Sequence, residues 1–238
     1  MRKRRFKTAF ILGAGLGTRL RPLTDNVPKP LLTISGRPII SFAMEHLAEA
    51  GIERFVVNTH YLPRSYSECF PNSNWRGIPI TFRYEPTLLD TAGGLKNIED
   101  LLRDDEAILC YNGDIISDVS LGQLIKLHEE NRPEATLVLR STGPLLNVNI
   151  TESGEICDMR NTTGKAGFRS CLFAGIYAIE TSLLTHFEPG IRSIVPVLLD
   201  RIRNDHRSIR GLIIDGGRWS DIGSIAEYER VKKELENR

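Results

Sequence analysis

The stretch Thr8-Ala9-Phe10-Ile11-Leu12, running straight into Gly13-Ala14-Gly15-Leu16-Gly17-Thr18-Arg19-Leu20-Arg21-Pro22-Leu23-Thr24, decides how the rest of the chain is read. Thr8 to Leu12 has the length and apolar content of a short buried strand. The glycines at alternate positions behind it let the backbone turn tightly and approach a ligand without Cβ interference. Successive N–H groups in such a turn form an anion nest, and Arg19, Arg21 and Lys29 add the full positive charge that suits a triphosphate. Leu12, Gly13, Ala14, Gly15, Gly17 and Thr18 are therefore expected to bind nucleotide. Two commoner glycine motifs do not fit. A Walker A loop needs Gly-Lys at the positions where Thr18 and Arg19 stand. A dinucleotide fingerprint would place a third glycine at Thr18 and open directly into a helix, whereas about twenty residues of proline-punctuated chain follow here.

Working outward, Ile39, Ile40, Ala43, Leu47 and Ala50 recur at helical spacing and Gly51 ends the run. Arg54 to Thr59 reads as a second buried strand, giving a βαβ unit with a parallel pair. Asn58, Thr59 and His60 fall at its C-terminal end, where open α/β sheets bind ligands, although His60 reads better as a hydrogen-bonded loop residue. Pro63 to Gly77 reads as irregular, and Ile80 to Glu85 as a strand. Gly93 and Gly94 stand where a helix bearing Leu95, Ile98, Leu101 and Leu102 should begin and offer free N–H groups. Ala107 to Tyr111 is a further strand, and it delivers Asn112-Gly113-Asp114. A carboxylate at that place suits a hard divalent cation that keeps water and phosphate in its shell. Ser120 reads as the N-cap of a helix in which His128 lies on the packing or solvent face, and Ala135 to Arg140 as the next strand. From Gly143 the alternation weakens. Asn147 to Ile150 and Ile156 to Met159 flank Ser153-Gly154 as a hairpin, Cys171 to Ile179 and Ile209 to Asp215 are strands, Ile194 to Ile202 is a helix, and Ile225, Tyr228, Val231 and Leu235 mark a last helix. The expected fold is a Rossmann-like three-layer α/β/α sandwich with a mainly parallel, partly mixed central sheet.

The full run of Gly-x-Gly-x-Gly-Thr-Arg-Leu, Pro22-Leu23-Thr24 and Pro28-Lys29-Pro30-Leu31 resembles the signature of the sugar-1-phosphate nucleotidyltransferases, the NDP-sugar pyrophosphorylases. It resembles in particular short N-acetylmuramate-1-phosphate uridylyltransferase-like and mannose-1-phosphate guanylyltransferase-like members. The resemblance runs from Thr8 to about Tyr228 by motif order. It implies the fold of the nucleotide-diphospho-sugar transferases and a Mg2+-dependent reaction of a nucleoside triphosphate, UTP or GTP, with a sugar 1-phosphate to give a nucleotide sugar and pyrophosphate. By the same resemblance, Leu89-Asp90-Thr91-Ala92-Gly93-Gly94 lines the base and sugar pocket, with Thr91 and Gly93 on the nucleotide and Gly94 on the sugar. Asp114 and the Asp221 of Trp219-Ser220-Asp221-Ile222-Gly223 are the two metal ligands. Asn112 and the Gly175 of Ala174-Gly175-Ile176-Tyr177 face the sugar, although Gly175 reads equally well as a bulge. Arg19 is assigned to the leaving pyrophosphate and Lys29 to the phosphoryl groups near the α-phosphorus. Many relatives carry Glu-Lys-Pro after the hairpin; this chain has Asp158-Met159-Arg160-Asn161 and a later Lys165, which leaves the cationic role between Arg160 and Lys165.

With 238 residues, 41% hydrophobic and 26% charged, one domain suffices. Residues 6–140 would form its nucleotide-binding half and 141–238 its sugar-binding half. No hexapeptide repeats follow, so an appended β-helix domain is not expected. The net charge of +1 argues against nucleic-acid and membrane-surface roles. The basic block Arg2-Lys3-Arg4-Arg5 reads as a solvated end. No apolar run is long enough to span a membrane and no signal peptide is recognisable, so a cytoplasmic location is expected. Cys69, Cys110, Cys157 and Cys171 have no C-x-x-C spacing, so neither zinc nor a disulfide framework is expected. Two other classes compete with the transferase. A glycosyltransferase of similar fold would show Asp-x-Asp, but Ile116 stands two residues after Asp114. A catalytically inactive nucleotide-sugar sensor would have lost Arg19, Lys29, Asp114 or Asp221, and all are present.

Overall fold

The structure, a computed structural model, describes residues 5–205 and 208–237. These residues group into two compact units, and the chain passes between them repeatedly. The first unit comprises Lys7–Leu88, Tyr111–Asp118 and residues 218–237; the second comprises residues 5–6, Leu89–Cys110 and Val119–Gly217.

In chain order the first long segment carries β1 (Phe6–Leu12), β2 (Thr33–Ile34), β3 (Arg37–Pro38), α1 (Ile39–Glu49), β4 (Arg54–Thr59), α2 (Pro63–Cys69), β5 (Asn74–Trp75) and β6 (Ile78–Tyr84). β1, β4 and β6 lie side by side and parallel, with Ala9 opposite Phe55 and Phe55 opposite Ile80, and the short β5 runs antiparallel along the edge. Ala9, Phe10, Ile11, Phe55 and Val57 are fully buried, as strands of a parallel sheet covered on both faces require. α1 presents Ile39, Ile40, Ala43, Met44 and Leu47 to this core and stops at Gly51, whose φ of 89° only glycine adopts without strain. The crossover from β1 through α1 to β4 is thus the βαβ unit read from the sequence.

Next come α3 (Asp90–Asn97), β7 (Ala107–Asn112), β8 (Ile115–Ser117), α4 (Leu121–Asn131), β9 (Ala135–Arg140), β10 (Val148–Ile150), β11 (Ile156–Met159), β12 (Arg169–Glu180), α5 (Ile194–Asn204), β13 (Ile209–Ile213), β14 (Trp219–Asp221) and α6 (Ile225–Glu236). In the second unit β12 is the central strand. It pairs antiparallel with β9 and β10, β10 pairs antiparallel with β11, and β9 pairs parallel with β13. The sequence places β9 in the parallel half, but its long neighbour runs the other way. The pairing of β12 with β9 shifts register between Phe173 and Tyr177, around Gly175 at φ 73°. Gly175 therefore marks a β-bulge.

The buried His128 and the charged groups around it in the second unit are paired. His128, fully buried, contacts Thr136 Oγ1 through Nδ1 at 2.9 Å and Glu180 Oε1 through Nε2 at 3.1 Å, so it lies on the packing face of α4 and not on the solvent face. Burial pushes the Glu180 carboxyl up, and hydrogen bonds from His128 and Arg5 more than reverse this, leaving it below its ordinary value. Arg5 Nη2 meets Glu180 at 2.5 Å and Arg5 Nε meets Glu106 at 3.1 Å. The solvated end expected from the basic block therefore does not include Arg5; Arg2, Lys3 and Arg4 lie outside the described residues. No disulfide links the four cysteines, and Cys110 and Cys171 are buried. Among the described residues no helix is long and apolar enough to cross a membrane.

Candidate functional site

The glycine loop leaves the C-terminal end of β1, and its glycines are needed for different reasons. Gly13 is buried, and a Cβ there would lie 2.8 Å from the Asn58 carbonyl and 3.0 Å from the Tyr66 hydroxyl. Its bareness serves the packing behind the loop, not the ligand side that the sequence reading gave to all three. Gly15 is exposed and a Cβ would meet nothing within 4 Å, so its backbone is the part open to a ligand. Gly17 is left-handed at φ 63°, and its carbonyl accepts from Thr24 Oγ1 at 2.8 Å. Leu12 is half-buried, Ala14 buried, and Thr18 and Arg19 are exposed. Arg21 does not join the cluster below; it pairs with Asp25 at 3.5 Å on the surface.

Lys29 opens a 3₁₀ turn, Lys29–Leu31, between Pro28 and Pro30. The prolines fix φ on both sides, and the lysine is 7% exposed. Its Nζ lies 2.5 Å from Asp114 Oδ2 and 4.0 Å from Asp221 Oδ1. Asp114 is carried by the turn between β7 and β8. There Gly113 N–H donates to the Leu12 carbonyl at 3.0 Å, and a Cβ on Gly113 would sit 2.6 Å from that oxygen. Glycine at 113 thus lets the acidic turn close against the end of β1. Asp221 reaches the same place because β14 pairs antiparallel with β8, Asp221 opposite Ile115, and Ile222 N–H donates to the Asp114 carbonyl at 3.0 Å. Under this platform Leu20, Ile34, Ile39, Ile116, Ile222, Tyr228 and Val231 form one buried cluster. Arg19 completes the group: a Cβ on Gly223 would lie 3.5 Å from Arg19 Nη1, Arg19 Nη2 and Asp221 Oδ1 alike.

The electrostatics fit two carboxylates awaiting more positive charge. Burial and then the negative Asp114 raise the Asp221 carboxyl above its ordinary value, against the pull of Lys29 and Arg19. A hard divalent cation would relieve that repulsion. Among the described residues no three His, Cys, Asp or Glu side chains gather in a metal-binding arrangement. Asp114 and Asp221 would therefore give two protein oxygens and leave the other positions to water and phosphate, as Mg2+ prefers.

The second unit holds the remaining expected residues. α3 begins at Asp90, one turn before the sequence reading, so Gly93 and Gly94 lie inside the helix. The Gly93 N–H is not a free donor at a helix start: it and the Ala92 N–H both donate to the Arg192 carbonyl, and a Cβ on Gly93 would come within 2.1 Å of the Gly190 carbonyl. Thr91 Oγ1 accepts from Ile194 N–H at 2.8 Å at the start of α5. Gly93→Ala is accordingly expected to cost about 2–3 kcal/mol through backbone overpacking, read as a lowered denaturation midpoint; an unchanged midpoint would contradict this packing. Arg160 and Lys165 are both exposed on a loop that Asp158 organises, its Oδ1 accepting from the N–H groups of Met159, Thr162 and Thr163 at 2.8, 3.1 and 3.0 Å. Asn112 ends β7. His60 Nδ1–H donates to the Glu85 carbonyl at 2.8 Å, the structural role expected.

Sequence reasoning missed the supports of this site. Asn58 and Tyr66 both hydrogen-bond the Gly13 peptide groups, at 2.7 Å each. Asn58, polar within the otherwise apolar Phe55-Val56-Val57, was the available signal. Tyr66 lay in a segment read as irregular that forms α2.

Known proteins are similar to this chain in sequence and in fold. The chain is 30% identical over 236 residues to the mannose-1-phosphate guanylyltransferase of Mycobacterium tuberculosis, covering 95% of this chain and 64% of that protein. It is 28% identical over 247 residues to the UTP–glucose-1-phosphate uridylyltransferase of Synechocystis sp., covering 92% of this chain and 61% of that protein. The chain thus spans less than two thirds of the length of either relative. The solved structure of the inositol-1-phosphate CTP transferase from T. maritima matches with a TM-score of 0.80 and 19% identity over 97% of this chain and 95% of that one. The α/β fold with a mixed, mostly parallel sheet is therefore that of the nucleotide-diphospho-sugar transferases. The family described as nucleotidyl transferase matches residues 8–144, a span that holds the glycine loop, Lys29 and Asp114 and stops short of Asp221. On that match over more than half its length, the chain belongs to the nucleotidyl transferase family.

Proposed function

We propose that the protein is a sugar-1-phosphate nucleotidyltransferase, joining a nucleoside triphosphate to a sugar 1-phosphate to give a nucleotide sugar and pyrophosphate. The observation that carries this is the convergence of Lys29, Asp114 and Asp221 within 4.0 Å beside the exposed end of the glycine loop. A sugar 1-phosphate is an anion at neutral pH, so its oxygen attacks the α-phosphorus without a dedicated base, and pyrophosphate departs in line. Catalysis is then alignment and charge neutralisation. The Gly15–Gly17 backbone takes the phosphates, Lys29 neutralises the phosphoryl group near the α-phosphorus, and Arg19 draws on the leaving pyrophosphate. Asp114 and Asp221 would hold Mg2+, which supplies Lewis-acid charge stabilisation at the reacting phosphates. We assign Thr91 and Gly93 to the nucleotide and Gly94, Asn112 and Gly175 to the sugar, within a single nucleotidyltransferase domain.

The base is uracil or guanine, in keeping with relatives named as uridylyl- and guanylyltransferases. We place the reaction in the cytoplasm, where nucleoside triphosphates are made and four unpaired cysteines stay reduced. The test is incubation with Mg2+, each of UTP, GTP, CTP, dTTP and ATP in turn, and a panel of sugar 1-phosphates, following pyrophosphate. Release with UTP or GTP that depends on one sugar 1-phosphate is expected. Release without sugar phosphate, or none with any pair, would overturn the proposal.

A further inference from the structure

Within the first unit, the peptide groups on both sides of Gly13 are held by side chains from other elements. Gly13 N–H donates to Asn58 Oδ1 on β4, and the Gly13 carbonyl accepts from the Tyr66 hydroxyl on α2, each at 2.7 Å. Asn58 is 3% exposed and Tyr66 is fully buried. Behind them Asn58 Nδ2 donates to Glu85 Oε1 at 2.8 Å, and Glu85, itself fully buried, is tied through its N–H to the Thr59 carbonyl and through its carbonyl to His60. Burial pushes the Tyr66 hydroxyl well above its ordinary value, so it remains a donor at any working pH. Tyr66 packs against Phe82, and Asn58 is buried at the end of the apolar β4, where apolar side chains would leave no polar atom to satisfy. What the polar pair adds is the orientation of one peptide group on each side of Gly13.

The other end of the loop is tied as well, the Gly17 carbonyl accepting from Thr24 Oγ1 at 2.8 Å and from Leu20 N–H at 2.9 Å. Between these anchors, among the described residues, no hydrogen bond reaches the main chain of Ala14, Gly15 or Leu16. A loop pinned at its ends and open in its middle presents its N–H groups in a set direction before a ligand arrives, so less ordering is charged to binding.

We propose that Asn58 and Tyr66, backed by Glu85, are positioning residues that fix the Gly13 peptide planes and thereby hold the Gly15–Gly17 backbone ready for the triphosphate. This rests on the reading of the loop as the nucleotide site. The pair touches loop backbone only, so its loss weakens nucleotide binding without removing a group that acts on the reacting atoms.

The test compares wild type, Tyr66→Phe, Asn58→Leu and, as a control for general loosening of the same strand, Val56→Ala. Each is measured for Mg-nucleotide affinity by direct titration, for KM and kcat, and for thermal midpoint. Tyr66→Phe keeps the ring and loses one hydrogen bond, so nucleotide Kd and KM should rise about tenfold with kcat at saturation and the KM for sugar phosphate little changed. Asn58→Leu should do the same or more; if it does not fold, Tyr66→Phe decides. Val56→Ala should lower the thermal midpoint and leave nucleotide KM alone. Unchanged nucleotide affinity in Tyr66→Phe, with saturable binding by wild type, overturns the positioning role and leaves the nucleotide site standing. An equal rise in Val56→Ala overturns it too. Failure of wild type to bind any nucleoside triphosphate overturns both.

Discussion

Asp221→Ala is expected to lower turnover by about a thousandfold or more while the protein keeps its fold. A bound cation supplies several kcal/mol of charge stabilisation at a phosphoryl centre, and about 4 kcal/mol corresponds to that loss. The fold should survive because the Asp221 side chain is about half exposed, at 47%, and the bonds that seat β14 on β8 are made by main-chain groups. Removing it even relieves the repulsion from Asp114 that helps raise its carboxyl above the ordinary value. The thermal midpoint of Asp221→Ala should therefore equal or exceed that of wild type. Asp114→Ala should lose turnover equally but fall in midpoint, since it strands the buried Lys29 ammonium without its 2.5 Å partner. Magnesium-dependent activity near the wild-type level in either variant would refute the assignment of these carboxylates.

The second large effect is on the cations. Lys29→Ala should reduce kcat by about a hundredfold or more, the usual result of removing one preorganised charge from a transition state, with a smaller change in nucleotide affinity. It should also lower the thermal midpoint, because Asp114 and Asp221 then face each other with no ammonium between them. Arg19→Ala should show a kcat loss of similar order without that instability, since Arg19 is exposed. Lys29→Arg is not expected to restore activity: the planar guanidinium does not fit a place shaped for a compact ammonium between two prolines. Near-normal kcat in both alanine variants would remove these residues from the mechanism.

What could be read in advance divides along physical lines. β1, α1 and β4 were legible because each buries a continuous apolar face in the period of its own structure, and Gly51 closes α1 where a left-handed residue is needed. Lys29, Asp114 and Asp221 were singled out through the resemblance of Pro28-Lys29-Pro30, Gly113-Asp114 and Trp219-Ser220-Asp221 to family motifs, and the structure brings the three side chains together. α2 was hidden because, from Pro63 to Cys69, only Tyr66 is buried, which leaves no apolar stripe to detect. β8 and β14 are three residues long and hold together through each other, a long-range pairing that no local window contains. The start of α3 was misplaced because Gly93 and Gly94 look like a helix opening, when Gly93 is bare to admit the Gly190 carbonyl. Gly13 misled in the same way, since its missing Cβ makes room for Asn58 and Tyr66 behind the loop. A glycine in sequence announces that something comes close; it does not say whether that is ligand or protein.

In the proposed reaction the sugar phosphate oxygen attacks the α-phosphorus. The most direct measurement follows UTP or GTP labelled with ³²P at either the α or the γ position, incubated with Mg2+ and the sugar 1-phosphate that supports turnover. Attack at the α-phosphorus puts the α label in the nucleotide sugar and the γ label in pyrophosphate, both dependent on the sugar phosphate. Appearance of γ label as orthophosphate, or of α label only as free nucleotide, would contradict it.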